Sequence, residues 1–110
     1  MIMQQREPRL PIDNGLVELQ RASTEISPHE YRLLNISRGG LCFQSDANLE
    51  LNETLKLNVL IDEKRVLSTN GRVCYRNHDE AHPCYGLSFL DDFIDADFLR
   101  EKKKAALKNG

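Results

Sequence analysis

The clearest pattern along the chain runs from Leu55 to Ile61, where Leu55, Leu57, Val59 and Ile61 alternate with Lys56, Asn58 and Leu60. A period of two places the first set on one face, which predicts a half-buried β-strand. Asp62-Glu63-Lys64 supplies a tight reversal after it. Arg65 to Ser68 and Gly71 to Arg76 then read as strand segments, interrupted by a bulge expected near Asn70-Gly71. Upstream, Asp13-Asn14-Gly15 is a turn signal before a first strand over Leu16 to Arg21, and a polar connection follows through Ser27 and Pro28. Tyr31 to Ile36 and Leu41 to Gln44 form a hairpin around Ser37-Arg38-Gly39-Gly40, whose glycines allow positive φ or a close approach to the backbone. Beyond an exposed loop from Asn77 to Pro83, Tyr85 to Leu90 ends the β region with Tyr85, Leu87 and Phe89 on one face.

The period then changes. Asp91 and Asp92 are placed to cap a helix whose apolar side takes Ile94, Phe98, Leu99 and Ala106, with basic residues towards its dipole-negative C-terminus. At the other end, residues 1–11 lack sustained alternation and carry Arg6 and Arg9 around Pro8, which predicts a flexible, extended arm. The expected organisation is one domain: the arm over 1–11, a β region over 12–90 and a C-terminal helix over 91–108. Several short strands closed by one helix imply a mainly β barrel or sandwich with a helix packed against it.

Composition narrows the function classes. With 110 residues, 40% hydrophobic and 29% charged, the chain suits a single folded domain. Its formal net charge of −2 gives no general basic field for nucleic acid or an anionic membrane, so neither nucleic-acid binding nor membrane insertion is expected. No apolar run approaches the roughly 20 residues of a membrane span, and no signal-peptide core follows Met1, so cytoplasmic residence is the expectation.

Catalytic chemistry finds no support. The histidines, His29, His78 and His82, fall in or beside predicted connections, with no nucleophile motif near them. The acidic residues after Leu90 are explained by helix capping, and there is no phosphate-binding glycine loop of the GxxxxGK type. Cys42, Cys74 and Cys84 are an odd set without a CxxC pair, read as buried thiols rather than a disulfide or zinc framework. His78, His82 and Cys84 lie close enough in sequence to raise a metal question, but His and Cys beside a loop are commoner than a ligand set, so neither metal nor cofactor is expected. Lys102-Lys103-Lys104 reads as a solvated helix end.

What remains is polar: Arg6 and Arg9 on the arm, with Asn35, Ser37, Arg38, Gly39 and Gly40 at the hairpin. Guanidinium groups fork onto phosphate and stack on planar rings, while Asn and Ser supply donors and acceptors for a base edge. Such a set suits an anionic ligand that carries bases.

Asn35-Ile36-Ser37-Arg38-Gly39-Gly40 matches the Asn/Asp-x-Ser-x-x-Gly signature of the PilZ family and follows an arginine-bearing arm, as in that family. Asn70-Gly71-Arg72-Val73, Tyr85-Gly86-Leu87-Ser88-Phe89 and the terminal helix extend the resemblance along essentially the whole chain. The resemblance implies a six-stranded antiparallel β-barrel with a C-terminal helix, no enzymatic activity, and binding of the bacterial second messenger cyclic di-GMP with relay to a protein partner. It also implies ligand-binding roles for Arg9, as the second arginine of Arg-x-x-x-Arg, for Asn35 and Ser37 on a guanine, and for Gly40 at the turn. One position departs: Gln5 stands where that pattern has its first arginine, and Arg6 is the available substitute. Two readings follow, a cyclic di-GMP receptor that orders its arm on the ligand, or a related adaptor that contacts proteins without the nucleotide.

Overall fold

A computed structural model of the chain describes residues 9–21, 29–45, 47–77 and 83–108. Ser27, Pro28, Arg6, His78 and His82 lie outside the described residues, as does the side chain of Ala106. Among the described residues, seven strands and a helix follow in order: β1 (Leu10–Pro11), β2 (Gly15–Gln20), β3 (His29–Ile36), β4 (Gly40–Gln44), β5 (Thr54–Ile61), β6 (Lys64–Asn77), β7 (Cys84–Phe89) and α1 (Ala96–Lys108).

Every strand pairing is antiparallel, running β3, β2, β5, β6, β7 and β4, and β4 returns to β3. The result is the six-stranded barrel with one C-terminal helix that the resemblance implied. Closure leaves none of the six without a neighbour, which removes the exposed edges of an open sheet. β1 adds two residues to β3, with Leu10 opposite Ile36 and Pro11 opposite Asn35. The end of the arm is thereby tied to the barrel.

The alternation in β5 is realised as expected, with Leu55, Leu57, Val59 and Ile61 all buried. They meet Val17, Leu33, Ile36, Leu41, Phe43, Val73 and Leu87 in one core. Asp62 and Glu63 make the β5–β6 reversal, both with positive φ (54° and 68°), the conformation that matches the twist of a two-residue hairpin.

β6 corrects the expected break: it is one 14-residue strand through Asn70 and Gly71. Gly71 faces the core instead, where a Cβ would stand 2.5 Å from Leu57 Cδ2. The irregularity against β7 lies later, between Val73 and Tyr75. The helix also begins at Ala96 rather than Asp91. Residues before it are held by the barrel: the Asp92 amide donates to Thr69 Oγ1 (3.0 Å), Asn70 to Asp91 Oδ2 (2.5 Å), and the Ile94 amide to the Arg38 carbonyl (3.1 Å). Asp95 takes the capping role, accepting the Asp97 amide at 2.9 Å. Buried Ile94 and half-buried Phe98 and Leu99 seat the helix, and Lys102 pairs with Asp62 on the β5–β6 turn.

Candidate functional site

The turn from Ser37 to Gly40 is built by its own polar atoms and by the barrel. The Ser37 amide donates to the Gly40 carbonyl at 2.8 Å, and its hydroxyl donates to the same oxygen at 3.3 Å. The neighbouring carbonyls point away, Gly39 accepting the Phe89 amide (2.9 Å) and Arg38 the Ile94 amide (3.1 Å). These bonds fix the turn against both β7 and the helix entry. No glycine among the described residues has a positive φ, so turn conformation does not explain Gly40. Close approach does, because a Cβ there would stand 2.5 Å from the Leu87 carbonyl oxygen. The close approach expected of the glycines in this turn is made at Gly40 by β7.

Beside this turn lies an open cavity of about 570 Å3 lined by Arg9, Ser37, Gly39, Gly40, Cys74, Tyr75, Leu87 and Ser88. Arg9 follows directly from β1 pairing, which sets it opposite the end of β3. Its guanidinium donates to Asn35 Oδ1 at 3.0 Å and lies 5.9 Å from the centre of the Tyr75 ring. The cation therefore faces an aromatic π-system, an arrangement worth about 0.5–1 kcal/mol at an exposed site. Of the expected site residues, Arg9, Asn35, Ser37 and Gly40 are brought together, Asn35 through its bond to Arg9 rather than on the cavity wall.

Tyr75 was not anticipated, and a shift in strand register puts it there. Val73 pairs with Leu87 in the core, and two residues later strict alternation would turn Tyr75 inward as well. The irregularity at Cys74 reverses the face, so Tyr75 pairs with Gly86 on the outside of the barrel. Its ring occupies the room that a Gly86 Cβ would need, 2.1 Å from Cε1 and 2.5 Å from Cδ1. The residue stays 39% exposed. Partial burial, then the neighbouring Cys42 thiol, pushes its phenol pKa up to about 12, against the opposing pull of Arg9. Tyr75 is thus a neutral, braced ring at the cavity wall.

The cysteines divide accordingly. Cys42 is buried as expected, whereas Cys74 is exposed at the register shift, its thiol 3.4 Å from the Gly86 carbonyl, and Cys84 is half-buried. No described helix is long and apolar enough to cross a membrane.

A second cavity of about 420 Å3 lies between the end of the arm and the helix, lined by Arg9, Leu10, Arg38, Ala96, Leu99, Arg100 and Lys103. Arg9 borders both cavities.

Comparison with known proteins gives a family model and a set of solved structures. The model described as the PilZ domain matches residues 4–101. The structure of YcgR from Escherichia coli, solved in complex with c-di-GMP, superposes with a TM-score of 0.69 at 15% identity over 97% of this chain and 46% of that one. The Bacillus subtilis inhibitor of motility (MotI/DgrA) gives a TM-score of 0.68 at 16% identity, over 98% of this chain and 52% of that one. The chain thus spans about half the length of each of these two structures. No curated protein matches the sequence.

Proposed function

The chain belongs to the PilZ domain family, and from that membership we propose that it is a receptor for cyclic di-GMP that signals to a protein partner. The observation that carries the proposal is the placement of Arg9, bonded to Asn35 and facing Tyr75 at a cavity lined by Ser37 and Gly40. A cyclic dinucleotide presents two phosphates and two purines, and this arrangement offers a partner to each kind of group.

Arg9 supplies a planar fork for a phosphodiester and a cationic face for a guanine. Tyr75 supplies a neutral aromatic face, and a guanine entering beside it exchanges the guanidinium–ring contact of the free chain for stacking of its own. Asn35 gives a donor and an acceptor for a guanine edge, and Ser37 keeps acceptor capacity on an oxygen whose proton serves the turn. Arg6 takes the place of the arginine missing at position 5 and closes on the ligand from the arm. Ordering of the part of the arm that precedes Arg9 then changes the surface offered to the partner, a ligand-driven ordering of a segment.

No catalytic step belongs to this scheme. The test is calorimetric titration of the purified chain with cyclic di-GMP, with GMP as a control for general phosphate affinity. Saturable heat with cyclic di-GMP and none with GMP is expected. Absence of heat with either would replace the receptor by the nucleotide-independent adaptor that Gln5 favours.

A further inference from the structure

The groove between α1 and the end of the arm is a second feature of the surface, and its chemistry differs from that of the ligand cavity. Four cations border it, Arg9 and Arg38 from the barrel side and Arg100 and Lys103 from the helix, around an apolar lining of Leu10, Ala96 and Leu99. A chain of net charge −2 has no overall positive field, so this concentration is local. Arg100 is met by Asp97 at 2.9 Å, but neither Arg38 nor Lys103 has a carboxylate partner among the described residues. Lys102, the residue before Lys103, is already committed to Asp62.

We propose that this groove docks an acidic segment of a partner protein, one that inserts an aliphatic side chain between Leu10 and Leu99 and sets carboxylates against Arg38, Arg100 and Lys103. The proposal rests on the reading of the chain as an adaptor and gives the partner a chemistry. Charge complementarity selects an acidic occupant, since like charge would be repelled and a neutral one would leave the cations without partners. The apolar lining selects a protein segment over a simple anion, which has nothing to place against Leu10, Ala96 and Leu99. It also selects against single-stranded nucleic acid, because no aromatic ring among the described residues lines the groove to stack a base. Arg9 borders both cavities, so ligand that draws the guanidinium into the first removes one cation from the second and loosens the partner.

The test uses the full chain and a fluorescently labelled peptide of Glu-Glu-Leu repeats, followed by anisotropy. Polyglutamate, a single-stranded oligonucleotide and vesicles of phosphatidylglycerol serve as competing probes. Wild-type protein is expected to bind the leucine-bearing peptide in a salt-sensitive manner and better than any of the other three. Arg100→Glu/Lys103→Glu is expected to lose about tenfold or more in affinity for the peptide, the scale of a lost charge pair at an interface. Lys56→Glu/Lys104→Glu, which makes the same change of net charge at exposed positions outside the groove, is expected to bind as wild type.

Equal peptide affinity in the double variant, or stronger binding of the oligonucleotide, the vesicles or polyglutamate, would overturn the proposal. Titrating each protein with cyclic di-GMP separates this from the receptor reading. Peptide binding without nucleotide binding leaves the groove assigned and removes the receptor, whereas nucleotide binding without peptide binding removes the groove alone.

Discussion

Tyr75 stands opposite Gly86 on the outer face of the barrel, its ring in the space that any side chain at position 86 would claim. A large aromatic covering a strand glycine braces both the ring and the weak point in the strand. The consequence falls on Arg9, whose guanidinium faces that ring beside the cavity.

Gly86→Ala is therefore expected to act on the ligand rather than on the core. The added methyl meets the ring and pushes it off the wall, while Tyr85 and Leu87 keep their inward places. Cyclic di-GMP affinity should fall about threefold to thirtyfold, the range of one lost aromatic or cation–π contact, with a nearly unchanged unfolding midpoint. Titration and thermal unfolding of the same sample check both halves; unchanged affinity would remove Tyr75 from the site.

Gly40→Ala should behave in the opposite way. Its Cβ would meet the Leu87 carbonyl at 2.5 Å, and backbone cannot swing aside as a side chain does. A loss of about 1–3 kcal/mol of stability is expected, as for other overpacked positions. Urea unfolding measures it, and a midpoint equal to wild type would contradict the close packing of β4 on β7.

Tyr75 also gives an alkaline signature. A folded pKa of about 12 stands above an unfolded value near 10, so the native chain holds this proton more tightly between the two. Stability from this group is complete below pH 10 and is lost as pH rises through about 12. Phenolate absorbance should show a late ionisation step that disappears in Tyr75→Phe. The same variant should retain cyclic di-GMP binding, since the ring and not the hydroxyl faces Arg9.

At the acid end, Arg21 forks onto Glu53 through bonds of 2.6 and 2.9 Å and holds its carboxyl below the ordinary 4.5. The sign is that of a depressed carboxylate: its contribution is present above pH 4.5 and is lost as pH falls through the lower folded value. Because Arg21 is largely exposed, Glu53→Gln should reduce stability at pH 7 by only about 0.2–1 kcal/mol. Wild type and variant should converge in acid, which denaturation midpoints across pH would show.

The barrel was legible where packing and period agree. In β5 one face is buried along the whole strand, so its alternation survives in the sequence. In β6 the glycine that reads as a break is an inward position kept small by Leu57, and the irregularity against β7 at Cys74 carries no glycine or proline to announce it. The helix start was misplaced because Asp91 and Asp92 have the chemistry of caps, but Asn70 binds the Asp91 carboxylate and Thr69 holds the Asp92 amide on the barrel. For the site, Asn35, Ser37 and Gly40 were visible as a contiguous motif. Tyr75 was not, because its outward face depends on a register shift that only the pairing with Gly86 displays. The groove beside α1 was equally hidden, since it joins Leu10, Arg38 and Lys103 from three separate parts of the chain.

The central claim, that Arg9 at this cavity makes the chain a cyclic di-GMP receptor, is tested most directly by titrating wild type and Arg9→Ala side by side in a calorimeter. Saturable binding by wild type, weakened about tenfold to a hundredfold in the folded variant by loss of a charge-assisted hydrogen bond, is the predicted result. No binding by wild type, or equal binding by both proteins, would contradict it.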